Sequence, residues 1–122
     1  MTIQKIARVA GWILVIIGVL GYIPAITTNG MLFNTFHVDG TNNWFHIITG
    51  LIAIGKSKKG LKPSRKFFQI AGYVYLAVAA LGFYYGNLPI FGMMASNMAD
   101  SWLHLVISGA FLYIGYLYKG RK

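Results

Sequence analysis

The sequence predicts an all-α membrane protein: four transmembrane helices built from a tandem two-helix repeat, with both termini cytoplasmic. Three observations predict it. Of 122 residues, 57% are hydrophobic and only 11% charged, whereas soluble domains carry about 25% charged residues. All eleven Lys and Arg fall in three short segments, and the only two acids, Asp39 and Asp100, fall in the two stretches between them. Finally, the first half of the chain is echoed by the second.

The charge partition sets the orientation. Lys5 and Arg8 precede the first apolar run, the segment from Lys56 to Lys66 separates the second from the third, and Lys119, Arg121 and Lys122 follow the fourth. Basic residues in short loops stay on the cytoplasmic side, so both termini and the middle loop are expected inside. The formal net charge of +9 belongs to cations flanking apolar runs. It points to anionic lipid headgroups at the cytoplasmic Lys/Arg loop rather than to nucleic acid. With no cysteine, disulfides, thiolate metal sites and cysteine nucleophiles are excluded, and the redox compartment is left open.

The first helix is expected from about Ile3 to Ile26. Its basic start and apolar run imitate a signal peptide, but Ala10-Gly11-Trp12 and Leu20-Gly21-Tyr22 recur as Ala71-Gly72-Tyr73 and Leu81-Gly82-Phe83. A second copy so far along the chain cannot be a signal, so the first is read as a retained helix. Thr27-Thr28-Asn29-Gly30 reads as the helix exit and a turn, and His37 as a solvated loop residue. Helix two is expected from about Asn43 to Lys56. It rises only roughly 18 Å from Trp44 to Lys56 against a hydrocarbon core of about 30 Å, so it must continue into Lys58 and Lys59 or thin the bilayer. Helix three is expected from about Ser64 to Tyr85 and helix four from about Ser101 to Tyr118. Pro24 and Pro89 sit near the outer ends, where a proline disturbs a helix least. Asn42-Asn43-Trp44-Phe45-His46 answers to Asp100-Ser101-Trp102-Leu103-His104. The chain therefore reads as one domain, residues 1–122, with repeat one over about 5–56 and repeat two over about 64–119. Parallel repeats of this kind are related by an axis along the membrane normal.

Small residues form stripes at Gly11, Gly18 and Ala25 and at Gly72, Ala79 and Gly86. Together with Gly50, Gly82 and Ser108 they mark expected helix-packing positions, because small residues let membrane helices approach closely. A homodimer seam is the other use of such a stripe.

His46, Gly50 and Ala53 share one face of helix two, and His104, Ser108 and Gly115 share one face of helix four. Both imidazoles are thus expected at a helix interface, about one turn below the outer surface. Asn42 and Asp100 are the N-cap candidates, which lets the Asp100 carboxylate reach His104. Trp44 and Trp102 fit an interfacial aromatic belt. Ionisable groups inside a membrane bundle mark functional candidates, so His46, His104, Asp100, Asn42, Asn43, Trp44 and Trp102 form the candidate polar site. Two imidazoles could ligate a haem iron, share a metal, or hold a quinone head. They could equally bond backbone carbonyls and fix the helix pair. No cofactor is predicted outright, and a metal would need further ligands. No nucleophile with a base, paired carboxylates or phosphate loop appears, so no catalytic residue is expected. Transport or proton relay is disfavoured because no charge lies in the middle of any span.

Gly21-Tyr22-Ile23-Pro24 with Thr27-Thr28-Asn29, then Phe36-His37-Val38 leading to Asn43, His46 and Gly50, and finally Asn97 through His104, resemble a family of small bacterial membrane proteins, domain of unknown function 4383. The resemblance spans nearly the whole chain. It implies a four-helix, multi-pass protein of the cytoplasmic membrane with Asn-x-x-His and Asp-x-Trp-x-His elements opening helices two and four. This chain has Asn42 where family members often have His, and Ser101 where Asn is common, which removes one potential ligand. The expectation is a non-enzymatic protein, either a structural or accessory subunit with a homo-oligomeric or membrane-complex partner, or a binder of a hydrophobic ligand, metal or haem at the outer His pair.

Overall fold

The computed structural model describes residues 1–120; Arg121 and Lys122 of the basic C-terminal segment lie outside the described residues. Four helices, α1 (Ile3–Leu20), α2 (Gly40–Lys59), α3 (Leu61–Tyr85) and α4 (Met98–Tyr116), run up and down, with three two-residue strands between α1 and α2. One end of the bundle carries the connectors 21–39 and 86–97. The other carries Lys5, Arg8, the Lys56–Lys66 segment and Lys119.

Helix α1 begins where the Thr2 hydroxyl accepts the Lys5 N–H at 3.1 Å, a side-chain N-cap. It stops at Leu20, six residues short of the expected Ile26. Pro24 has no N–H to continue the ladder, and the freed Leu20 carbonyl is taken by the Thr27 hydroxyl at 2.9 Å. Ala25 therefore lies outside the helix whose small-residue stripe it was expected to extend. The released chain forms a three-stranded antiparallel sheet, β1 (Thr27–Thr28), β2 (Met31–Leu32) and β3 (Phe36–His37). Its first turn is Asn29-Gly30, both at positive φ (54° and 74°), as a type I′ hairpin requires.

Helix α2 extends beyond its expected limits at both ends. Its basic last turn, with Lys56, Lys58 and Lys59, suits the negative end of the helix dipole. Gly60, at φ 120°, alone joins α2 to α3. The Ser64 hydroxyl donates to the Gly60 carbonyl at 2.7 Å, and Pro63 fits the first turn of α3, where no intrahelical N–H is needed. Helix α3 closes on Gly86, whose N–H reaches the Gly82 carbonyl at 2.9 Å. Gly86 meets no neighbouring element, so it is a helix terminator rather than the packing residue its spacing suggested. At the C-terminal end of α4, carbonyls left without intrahelical partners find donors on α3. The Arg65 guanidinium reaches Ile114, Gly115 and Tyr118, and the Gln69 amide reaches Gly115 at 2.8 Å.

The closest approaches are α1 against α2 and α3 against α4. A Cβ on Gly11 would meet the Gly50 carbonyl and Ile54, and one on Gly72 would meet Leu112. Likewise Gly21 lies against the Asn43 side chain and Gly82 against Ser101. The core between the pairs is built from Ile3, Ala7, Leu14, Phe67, Phe68, Tyr75 and Phe111.

The outward faces are apolar: Trp12, Ile13, Ile16, Ile48, Ile70, Val74 and Val106 are all exposed. So much exposed apolar surface is foreign to a water-soluble monomer. Helices α1, α3 and α4 are long and apolar enough to cross a membrane. Helix α2 is not among them, although four spans were expected. Its 20 residues are polar at one end (Asn42, Asn43, His46) and basic at the other.

Candidate functional site

At the connector end, the first turns of α2 and α4 and the two connectors bond across one another. The true N-caps are Asp39 and Asn97, each three residues before the expected Asn42 and Asp100. Asp39 accepts the Asn42 N–H at 2.8 Å with one oxygen and the Ala95 N–H at 2.9 Å with the other. Asn42 in turn donates its amide to the Ala95 carbonyl at 2.7 Å. Both polar groups of one residue in the second connector are thus held by the start of α2.

The start of α4 holds the first connector in the same manner. Asn97 accepts the Asp100 N–H at 2.9 Å, and Asp100 accepts the Asn97 N–H at 3.0 Å, a closed capping box. The same carboxylate oxygen accepts the His37 N–H at 3.0 Å, and the Asn97 amide donates to the Thr35 carbonyl at 3.0 Å. Asp100 therefore does not serve His104, as the sequence suggested. His104 lies one turn further along α4, but the carboxylate is engaged by the backbone N–H groups of Asn97, at the helix start, and of His37 in β3. His37, expected to be a solvated loop residue, is half-buried and tied by its backbone into this network.

One turn deeper the two imidazoles meet. His46 and His104 are 3% and 2% exposed, and their ring centroids stand 5.4 Å apart at 38°. The His46 Nδ1 faces the Tyr75 hydroxyl at 3.4 Å, a weak contact by geometry. Phe45 stacks on Tyr75 at 4.9 Å and stands edge-on to His104 at 6.2 Å. Tyr75 is also edge-on to His104, at 5.7 Å. Tyr75, on α3, belongs to the layer; it is one of several tyrosines able to contribute a hydroxyl, beside Tyr73, Tyr113 and Tyr116, and nothing in its position singled it out. Only its fully buried hydroxyl marks it. Trp44 and Trp102 point outward, exposed, and Trp102 packs edge-on to Phe83 at 5.2 Å.

The chemistry open to this layer is limited. Among the described residues no three His, Cys, Asp or Glu side chains converge to hold a metal. A bis-imidazole haem needs a flat slot between two axial nitrogens. Here the rings lie against each other and are walled by Phe45 and Tyr75, so the residues as packed do not offer one. Two features remain open: the buried His104 Nε2 has no hydrogen-bond partner, and a cavity of about 200 Å³ under the sheet is bordered by Leu32, Phe36, Asn43, His46 and Asp100.

An apolar exterior around an internally bonded polar layer defines a small helical protein compatible with a membrane. The chain belongs to the family Domain of unknown function (DUF4383), whose sequence model matches residues 4–117. No curated protein and no solved structure matches it.

Proposed function

We propose that this is a non-enzymatic, multi-pass protein of a prokaryotic cytoplasmic membrane that serves as a small structural or accessory subunit of a membrane assembly. Its architecture is a tandem two-helix repeat with both termini inside. One observation carries the reading: Asp39, Asn42, Asn97 and Asp100 all bond the backbone of the opposite connector or their own helix start. Side chains so engaged fasten a scaffold and are not free for turnover. The matching neighbours Gly21–Asn43 and Gly82–Ser101 support the repeat, and the gathering of the basic segments at one end supports the orientation.

Because the chain has no cysteine, single cysteines report its topology cleanly. In intact cells an impermeant maleimide should label Asn34→Cys, and it should label Lys59→Cys only after permeabilisation; the reverse pattern overturns the orientation. In the subunit reading, His46→Ala and His104→Ala lower the melting temperature or dissolve the assembly on native gels. No ligand is lost with them.

The unpartnered Nε2 of His104, whose ring packs on His46, together with the cavity that His46 lines, favours a second reading, a hydrophobic ligand bound at the outer His pair. In that case either alanine variant strips a co-purifying molecule, seen by absorption or mass spectrometry, while the assembly survives.

A further inference from the structure

A long groove runs between α2 and α3, away from the polar layer. It has a volume of about 430 Å³, with Ile48 and Ile52 on one wall, Ile70 and Val74 on the other, and Lys56 and Lys66 at one end. The groove exists because small side chains face each other across this helix pair: Thr49 on α2 and the buried Ala71 on α3. The Thr49 hydroxyl is turned back onto the Phe45 carbonyl at 2.7 Å. Only its methyl is left for the groove, so the lining is apolar along its length. From Phe45 to Lys56 α2 rises roughly 16 Å, close to the depth of one leaflet in a hydrocarbon core of about 30 Å.

Among the described residues no carboxylate pairs with the two lysines at its mouth. The chain's only acids are Asp39 and Asp100, and both are bonded at the opposite end of the bundle. Arg65, in the same basic segment, is engaged by the carbonyls at the end of α4. Among the described residues Lys56 and Lys66 make no hydrogen bond of that kind, and both are exposed.

We propose that this groove is a binding site for one anionic glycerophospholipid of the leaflet on the basic side, its acyl chain lying between α2 and α3 and its phosphate between Lys56 and Lys66. An apolar slot one leaflet deep that ends in two cations with no carboxylate partner among the described residues matches both halves of such a molecule. The inference rests on the membrane reading above, with the basic end at a membrane surface.

The test starts with membranes washed in alkaline carbonate. The retained protein is solubilised in mild detergent, exposed to an equal mixture of phosphatidylglycerol and phosphatidylcholine, and examined by native mass spectrometry. One phosphatidylglycerol per chain should survive, favoured over phosphatidylcholine by roughly twenty-five-fold, since each of the two lysines contributes about fivefold. Lys56→Ala and Lys66→Ala should each lower its retention about fivefold, and Ile70→Trp, which fills the groove, should abolish retention of either lipid. Unchanged melting in lipid-free detergent verifies that each variant is folded. Millimolar inorganic phosphate should neither bind nor compete. Equal retention of the two lipids overturns the proposal, as does a preference that survives both lysine variants. Phosphate binding as tightly as lipid overturns the acyl component, and disulfide-linked dimers of Val74→Cys formed in the membrane give the groove to a second copy instead. Release of the protein by carbonate overturns the membrane reading together with this one; a carbonate-resistant protein without lipid preference overturns the lipid site alone.

Discussion

The two ends of the bundle treat polar groups in opposite ways. At the connector end the carboxylates and amides of Asp39, Asn42, Asn97 and Asp100 are bonded into buried or half-buried backbone. At the basic end Lys56, Lys58, Lys59, Lys62 and Lys66 are exposed, and the joint between α2 and α3 is a single glycine. A buried polar group is costly unless paired, whereas a solvated cation costs almost nothing. Stability should therefore be concentrated at the connector end and surface chemistry at the basic one.

The strongest way to break this contrast is Asp100→Ala. It strands the His37 and Asn97 N–H groups in a region where Asp100 is 2% exposed. Unfolding in detergent should become easier by about 3 kcal/mol, with Asp100→Asn losing less because one acceptor remains. Next comes Gly21→Ala, whose new methyl would collide with the Asn43 side chain; a loss of about 2 kcal/mol is expected. Gly82→Ala, against the Ser101 hydroxyl, should behave alike, and a neutral result for both would sink the close-packing argument. At the hairpin, Asn29→Ala must hold φ 54° without a side chain suited to it, and should cost about 1 kcal/mol; Asn29→Gly should cost less. The smallest effect belongs to the other end: Lys56→Ala and Lys66→Ala should change stability by less than about 0.5 kcal/mol. A melting shift as large as that of Asp100→Ala would erase the distinction between the ends.

The helix order and the apolar exterior are legible in the sequence because both follow from composition along the chain. The helix starts were legible too, in a less obvious form. Asp39-x-x-Asn42 and Asn97-x-x-Asp100 each pair a capping residue with a polar side chain at the third helical position. Reading the later residue as the cap shifts the helix start by one turn and sends Asp100 toward the wrong partner. Asn29-Gly30 likewise carries the hairpin signal, but its flanking strands of two residues are too short for an alternating pattern. The candidate site was half legible. His46 and His104 stood out as ionisable groups on packed faces, whereas Tyr75 and Ala95, which complete their surroundings, are ordinary residue types in ordinary segments.

What the sequence determined by itself is local or additive: apolar runs long enough to be helices, cations confined to three segments, small residues at packing positions, and caps within one turn of the groups they satisfy. Tertiary structure alone decided that the Asp100 carboxylate reaches the His37 backbone and Asp39 the Ala95 backbone, and that two imidazoles 58 positions apart in the sequence stand 5.4 Å from each other. The reason is that such contacts depend on how one helix pair sits against the other, and no residue's own neighbours in the chain carry that information.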